Sequence, residues 1–427
     1  MKSSAHKRST ARLIPTHNQR LRLIARSRQI VGVMLPLGAC IGILVALALR
    51  GLGTFEPWVS GMGGRIHSAI LLPGIGLFAT TLWLHITGIG EVSLFKDLDL
   101  AHQDPYKVFP FWTSLGKVAA CTMTIGFGGS AGVEGPGKWL GAAIGLQFHK
   151  ILRRGSHHIA PLRHVIARPM VMVRGGAAAA LAAVFRAPLS GALMAAEHRG
   201  HLSAEALVPC LVSAASGYVV FASWMGHTPL LPTARLYHLR GREIFWAMLL
   251  GLFCGLVASI YLWMRVTFRR WLDPIPFKWR GLVAGIGLVI LMLPSHFFWD
   301  GLPVTEGGGL ELIRHLLMGE FLPREAVLFL ALKLTATALT FAGGGIGGLW
   351  LPSLSMGAAI GMVFDSLLGL GQPGYMTLIG ASAFAGATHE TLLIPCVFLA
   401  ETTAQAALVV PALVGTTVAY LIVRERN

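Results

Sequence analysis

The chain has 427 residues, 54% of them apolar or aromatic and only 13% charged. A soluble domain carries roughly 25% charged residues, so this composition argues against a soluble globule and for hydrocarbon as the solvent of most of the surface. The net charge of +16 does not indicate nucleic acid, because the basic residues lie at the chain ends and between apolar segments rather than on one amphipathic face with interleaved aromatics.

Residues 1–29 carry Lys2, Lys7, Arg8, Arg12, Arg20, Arg22, Arg26 and Arg28 with no acidic residue, so the positive-inside rule places this segment in the cytoplasm. The apolar run Ile30 to Leu49 follows, and no small-x-small cleavage site closes it before Arg50. It is therefore read as a retained span rather than a signal peptide. Comparable runs recur at Ala204 to Phe221, Ile244 to Met264 and Gly281 to Met292, among roughly ten to twelve hydrophobic segments of which several are too short or too glycine-broken to span unaided. Many of the 52 glycines and 22 prolines fall inside these segments, a pattern tolerated at membrane depth only where protein or an aqueous cavity surrounds the break. The sequence thus predicts an all-α polytopic membrane protein of the transporter or channel kind. The tail Arg424 to Asn427 is placed in the cytoplasm too, which requires an even number of full crossings.

The first broken segment, IGFGGSAGVEGPGKWLGAAIG from Ile125 to Gly145, reads as a glycine-rich stretch, then Pro136 in a first helical turn, then a helix. A helix N-terminus at membrane depth offers an anion free N–H groups and a positive dipole end without a full charge to trap it. Glu134 lies where this helix begins, and an intramembrane carboxylate is costly enough to be a functional candidate. It can occupy the anion's own site and, when protonated, be displaced from it, linking anion passage to protons; the bland alternative is an acid that merely caps the helix. Lys138, four residues on, shares its face. Two readings stand for it, one in which it holds Glu134 ionised or attracts anions, another in which it snorkels to an interface. Gly132 to Lys138 also satisfies GxxxxGK, but Trp139 replaces the magnesium-binding hydroxyl and Pro136 removes an amide, so nucleotide binding is rejected.

The same features return half a chain later. GVEGP at 132–136 and GLWLP at 348–352 share their glycine and proline positions, and each is followed by GAAIG, at 141–145 and 357–361. Gly176 to Glu197 likewise parallels Gly380 to Glu401. Two ordered blocks make a duplication the better reading, and transporters commonly place their site between such halves. The halves run roughly from 30 to 225 and from 240 to 427. The second copy, from Ala342 to Gly361, supplies another helix N-terminus, so that two dipole ends can converge on one ion.

Cys40, Cys121, Cys210, Cys254 and Cys396 stand singly in apolar stretches, which reads as small core residues rather than disulfides or metal ligands. No HExxH occurs, so neither an enzyme nor a cofactor is expected.

These motifs resemble those of the CLC family of chloride channels and chloride/proton exchangers. GVEGP is similar to the family's GREGP, GGLWLP at 347–352 to GGIFAP, and Gly176 to His198 to the long segment following the first motif. A weaker match, TGIGEV from Thr87 to Val92, occupies the place of GSGIPE. The resemblance covers the chain from about residue 30 to its end. It implies one transmembrane domain over 30–427, an inverted repeat of tilted and broken helices, and a homodimer in which each subunit has its own pore, in the inner membrane and surrounded by lipid. It further implies chloride or a similar small anion as substrate, with Glu134 as gate and proton acceptor. The backbone amides of Leu349 and Trp350 would bind the central ion, Thr87 would stand for the pore serine, and Val133, Glu134 and Gly135 would line the outer site. Val133 replaces the motif's arginine and Gly90 the proline of GSGIPE. His198 occupies the place of the exchangers' inner proton-transfer glutamate, where it can carry protons near neutral pH or simply face the cytoplasm at a helix end. The resemblance runs out before the family's last helix, and Tyr420 does not align with that helix's gate tyrosine. Exchange and passive conduction both stay open on these residues.

Overall fold

The structure is a computed structural model that describes residues 30–50, 70–93, 97, 100–101, 103–156, 168–197, 202–233, 235–299, 301–369 and 372–425. The basic segment 1–29 and His198 lie outside the described residues. Among the described residues the regular structure is helical, apart from one isolated antiparallel bridge between Gly132 and Gly348. In chain order the main helices are α1 (Ile30–Arg50), α2 (Leu72–Ile86), α3 (Phe111–Gly126), α4 (Glu134–Gly155), α5 (Pro169–Phe185), α6 (Pro188–Ala196), α7 (Ala204–Met225) and α8 (Gly241–Leu272). They continue with α9 (Phe277–Phe298), α10 (Leu310–Met318), α11 (Pro323–Ala342), α12 (Trp350–Leu368), α13 (Tyr375–His389), α14 (Leu393–Thr403) and α15 (Val409–Arg424). Seven helices among the described residues are long and apolar enough to cross a bilayer, at 30–50, 204–225, 241–272, 277–298, 323–342, 350–368 and 406–424. The shorter ones, α2, α5 and α14, are apolar but span 15, 17 and 11 residues, too few to cross hydrocarbon alone.

The breaks follow from local chemistry. Helices α5, α6 and α11 open with proline in the first turn, where its missing N–H costs nothing. Between α5 and α6 the chain reverses through Arg186, in the left-handed conformation at φ 54°. Its repeat counterpart between α13 and α14 is Glu390 at φ 53°. Two non-glycine residues held in the same uncommon conformation at matching positions show that each half makes the same turn.

Packing repeats as well. A Cβ on Gly141 would fall 2.3 Å from the carbonyl oxygen of Gly176, and one on Gly357 would fall 2.2 Å from that of Gly380. One turn along, Gly145 abuts the Met172 carbonyl at 2.1 Å and Gly361 that of Met376 at 2.0 Å on the same construction. Small residues let helix backbones touch where no hydrophobic effect drives them together. The α4–α5 and α12–α13 pairs are thus one helix pair used twice, and the GAAIG and GAAAA/GASAF motifs are its two faces.

Candidate functional site

The two halves meet at their glycine-rich loops. Gly132 N–H donates to the Gly348 carbonyl at 2.7 Å, and Gly348 N–H returns a bond to Gly132 at 2.8 Å. Each loop is pinned to the other half by a threonine. Ser130 N–H donates to Thr340 Oγ1 and Ile346 N–H to Thr124 Oγ1, both at 3.1 Å. All four residues obey the same 216-residue offset that links GVEGP to GLWLP. Each threonine hydroxyl spends its proton on its own helix, on Ala336 at 2.8 Å and Ala120 at 3.1 Å, which leaves its lone pairs for the loop amide. Equivalent residues that bond reciprocally and antiparallel lie about a pseudo-two-fold axis in the membrane plane, the geometry of an inverted repeat.

Loops held this way aim two helix starts at one point. Glu134, the first residue of α4, is 3% exposed. Its Oε1 accepts the backbone N–H of Trp350, the first residue of α12, at 2.5 Å, and the amides of Leu351 and of Glu134 itself bear on the same carboxylate. Oε2 is buried with no hydrogen-bond partner. The carboxylate therefore rests on the positive end of the opposite half's helix, where a free anion would find the same donors. No side chain fits between them: a Cβ on Gly348 would come within 1.9 Å of Glu134 Cδ, and one on Gly132 within 2.1 Å of Oε2. The glycines of both motifs are thus required by close approach to the acid.

Of the other predicted residues, Leu349, Val133, Gly135 and Lys138 belong to the two helix starts that meet here. Leu349 is the buried N-cap of α12 and Gly135 is buried against Gly347, while Val133, N-cap of α4, is 40% exposed. Lys138 is half-buried and interacts electrostatically with Glu134, without an ion pair closer than 4 Å among the described residues. Thr87 ends α2, exposed, and its hydroxyl donates to the Trp83 carbonyl at 2.7 Å within its own helix. The TGIGEV loop is tied down by Glu91, which pairs with Arg269 and lies 3.7 Å from Arg280.

Sequence reasoning missed the supports. Thr124 and Thr340 were detectable from the 216-residue offset, since both occupy the residue two from the end of the helix entering a glycine loop. Lys333 carried no such signal. It is fully buried, and its Nζ donates to the carbonyls of Thr305 at 3.2 Å, Glu306 at 2.7 Å and Gly307 at 2.8 Å, satisfying all three ammonium protons. Gly307 N–H in turn donates to Gly129 at 3.0 Å, so Lys333 braces the first glycine loop from behind. Glu401 is a third support: it accepts the N–H groups of Leu189 and Ser190 at 2.8 and 2.7 Å and the Ser190 hydroxyl at 2.6 Å, capping α6 from the opposite half.

An all-helical inverted repeat whose broken helices aim their N-termini at a buried glutamate defines the CLC class of membrane transport proteins. The voltage gated chloride channel family model matches residues 93–424, and the chain belongs to that family. It is 28% identical over 337 residues to an uncharacterized protein of Methanocaldococcus jannaschii, covering 76% of this chain and 78% of that one. Its identity to a putative chloride channel protein ClcB-like of Ralstonia nicotianae is 26%, covering 72% and 71%. A match at 27% identity joins it to the H+/Cl− exchange transporter ClcA of Cronobacter sakazakii over 62% of this chain and 55% of that protein. Among solved structures, a slow cyanobacterial Cl−/H+ antiporter superposes with a TM-score of 0.77 at 19% identity, covering 93% of this chain and 95% of that one. A CLC-type fluoride/proton antiporter gives 0.71 at 20%, covering 96% and 98%.

Proposed function

We propose that this protein moves chloride or a similar small anion across the membrane, with Glu134 as the gate, and that passage is coupled to proton counter-transport. The observation that carries this reading is the bond from the Trp350 amide to Glu134. An ionised carboxylate on that helix end competes with a transported anion for the same donors, and a protonated one competes poorly. One group therefore answers to both ions. In this scheme Val133, Glu134 and Gly135 line the outer site and the Leu349 and Trp350 amides serve the central one, with Thr87 at its inner edge. His198, next to Glu197 at the end of α6, takes the proton from the inner solution. Lys138 tunes the charge of the gate. Residues 30–427 act as one transmembrane domain of two halves, roughly 30–225 and 240–427, in an inner-membrane homodimer with both termini cytoplasmic. The protein is a transporter rather than an enzyme.

Relatives named as H+/Cl− exchange transporters favour the coupled version over passive conduction. The test uses liposomes loaded with chloride and a recorded external pH. Proton movement against its own gradient, driven by chloride, is expected. Chloride flux with no proton signal would leave a passive channel, and no chloride flux would remove the anion assignment.

A further inference from the structure

The 216-residue offset that links the two glycine loops reaches further along the chain. The loop that leaves α2, Thr87 to Val92, has its counterpart in Pro303 to Gly308, which follows α9. Each runs into a helix at the same point: Asp97 N–H donates to the Ser93 carbonyl at 2.9 Å, and Ile313 N–H, 216 residues on, donates to that of Gly309 at 3.0 Å. Equivalent loops of an inverted repeat lie at opposite mouths of the path between the halves. With the Thr87 loop at the inner mouth, Pro303 to Gly308 belongs to the outer one.

This outer loop is packed against both sides of the gate. Gly307 N–H donates to the Gly129 carbonyl, in the first glycine loop, at 3.0 Å, and a Cβ on Gly308 would fall 2.6 Å from Leu351 Cβ, in the first turn of α12. Lys333 holds the loop through the carbonyls of Thr305, Glu306 and Gly307. All three ammonium protons thus go to neutral acceptors, and the positive charge itself is left uncancelled by them. The Glu306 side chain is half-buried against the first glycine loop, where a Cβ on Gly128 would fall 3.4 Å from its Cγ and 3.5 Å from its Cδ. Its carboxylate makes no hydrogen bond with a described residue and no ion pair within 4 Å of one, although Lys333 Nζ is bonded at 2.7 Å to the carbonyl of Glu306 itself. A fixed cation and a free carboxylate are therefore no more than a side chain apart. The inner mouth is built the other way: Gly90 stands where Glu306 would be, and the adjacent acid, Glu91, is paired with Arg269.

We propose that Glu306 controls anion entry at the outer mouth, its carboxylate cancelling the fixed charge of Lys333 and so holding down the concentration of anions presented to the gate. With Glu306 ionised the pair is neutral; without that carboxylate the mouth carries one net positive charge. A charge at the rim of a path flanked by low-dielectric walls changes the local concentration of the transported ion rather than the chemistry further in. The proposal rests on the anion-transport reading above and names a residue that sets its apparent affinity. Glu306 touches neither Glu134 nor Trp350, so the expected effect falls on half-saturation and not on the maximal rate.

The test is chloride flux into liposomes holding the full chain, measured over a range of chloride concentrations at fixed ionic strength. Glu306→Gln is expected to lower the half-saturating chloride about threefold, the scale of one unit charge acting through water over several ångströms, with the maximal flux unchanged. The difference should shrink as an impermeant salt is added, because screening shortens the reach of the charge. Glu306→Asp, which keeps the charge on a shorter side chain, should stay near wild type. Should Glu306→Gln not purify as a folded protein, Glu306→Ala gives the same comparison. Half-saturation equal to wild type in the uncharged variant, or an equal shift in Glu306→Asp, would overturn the entry role while wild-type flux still supports transport. Wild-type protein that moves no chloride would instead strike the transport reading beneath it.

Discussion

Gly132 and Gly348 exchange two backbone hydrogen bonds, each donating to the other's carbonyl. They are the same position of the two repeats, so the pair marks where the halves of the chain cross. Glu134 lies two residues beyond Gly132, Trp350 two beyond Gly348, and these two also bond to each other. The symmetry is broken there by chemistry: where one half places an acid, the other places an amide and an indole. The proposed gate is therefore a local asymmetry built on a symmetric crossing.

Glu134→Gln keeps the size of the side chain and removes the proton-dependent charge. Wild-type anion flux is expected to rise as the pH falls, because protonation withdraws the carboxylate that competes for the Trp350 amide. In the variant the flux is expected to persist with a flat pH profile and no proton movement. A pH dependence equal to wild type, read as chloride efflux between acid and neutral pH, would take the gating role away from Glu134.

Gly348→Ala acts on Glu134 without replacing the acid itself. The new methyl carbon would sit 1.9 Å from Glu134 Cδ and 2.0 Å from Oε1, an impossible contact, but the obstructing group is the end of a side chain that can rotate. The cheapest relief is to swing Glu134 off the α12 helix end. Chloride efflux at neutral pH should then approach that of Glu134→Gln even though the acid is still present. Efflux that stays at the wild-type level in folded protein would show that the carboxylate is not what blocks the path.

Thr124→Val and Thr340→Val remove the two hydroxyls that accept the Ile346 and Ser130 amides. Each leaves a buried N–H without an acceptor, at a cost of about 1–3 kcal/mol. Both losses should be measurable, that from Thr124→Val the larger because its hydroxyl also lies 3.0 Å from Thr80 Oγ1. Thermal unfolding in detergent, followed by the fraction remaining monodisperse, measures them; wild-type stability in either variant would contradict the pinning of its loop.

Much of this arrangement is legible in the sequence, for reasons that differ by residue. Glycine and proline positions survive in both copies because helix starts and backbone contacts admit little else, so GVEGP and GLWLP expose the crossing directly. The GAAIG repeats expose the helix pairs because Gly141 and Gly357 each abut a carbonyl. Thr124 and Thr340 look like ordinary helix residues, since their work depends on a loop 222 or 210 residues away, and only the 216-residue offset between them singles them out. Lys333 is hidden for another reason: a lysine in an apolar helix looks like a misplaced charge until three carbonyls from a distant loop surround it.

Glu401 and Glu197 are matching positions of the two repeats with different surroundings. Glu401 accepts the Leu189 amide on Oε1 and the Ser190 amide on Oε2, so both oxygens are committed to the start of α6. Glu197 is half-buried and has no side-chain hydrogen bond to a described residue. Glutamine has only one oxygen, so Glu401→Gln must turn an NH2 group against one of the two amides as well as lose the charge that strengthens both bonds. A loss of about 2 kcal/mol is expected, within the range of N-cap removals, while Glu197→Gln should leave stability within about 0.5 kcal/mol. Because α6 leads directly into residue 198, loosening its start should also slow proton movement more than anion movement in liposomes. Equal stability of the two variants would mean that the repeats are equivalent here after all, and that α6 is held by its packing rather than by the acid across the crossing.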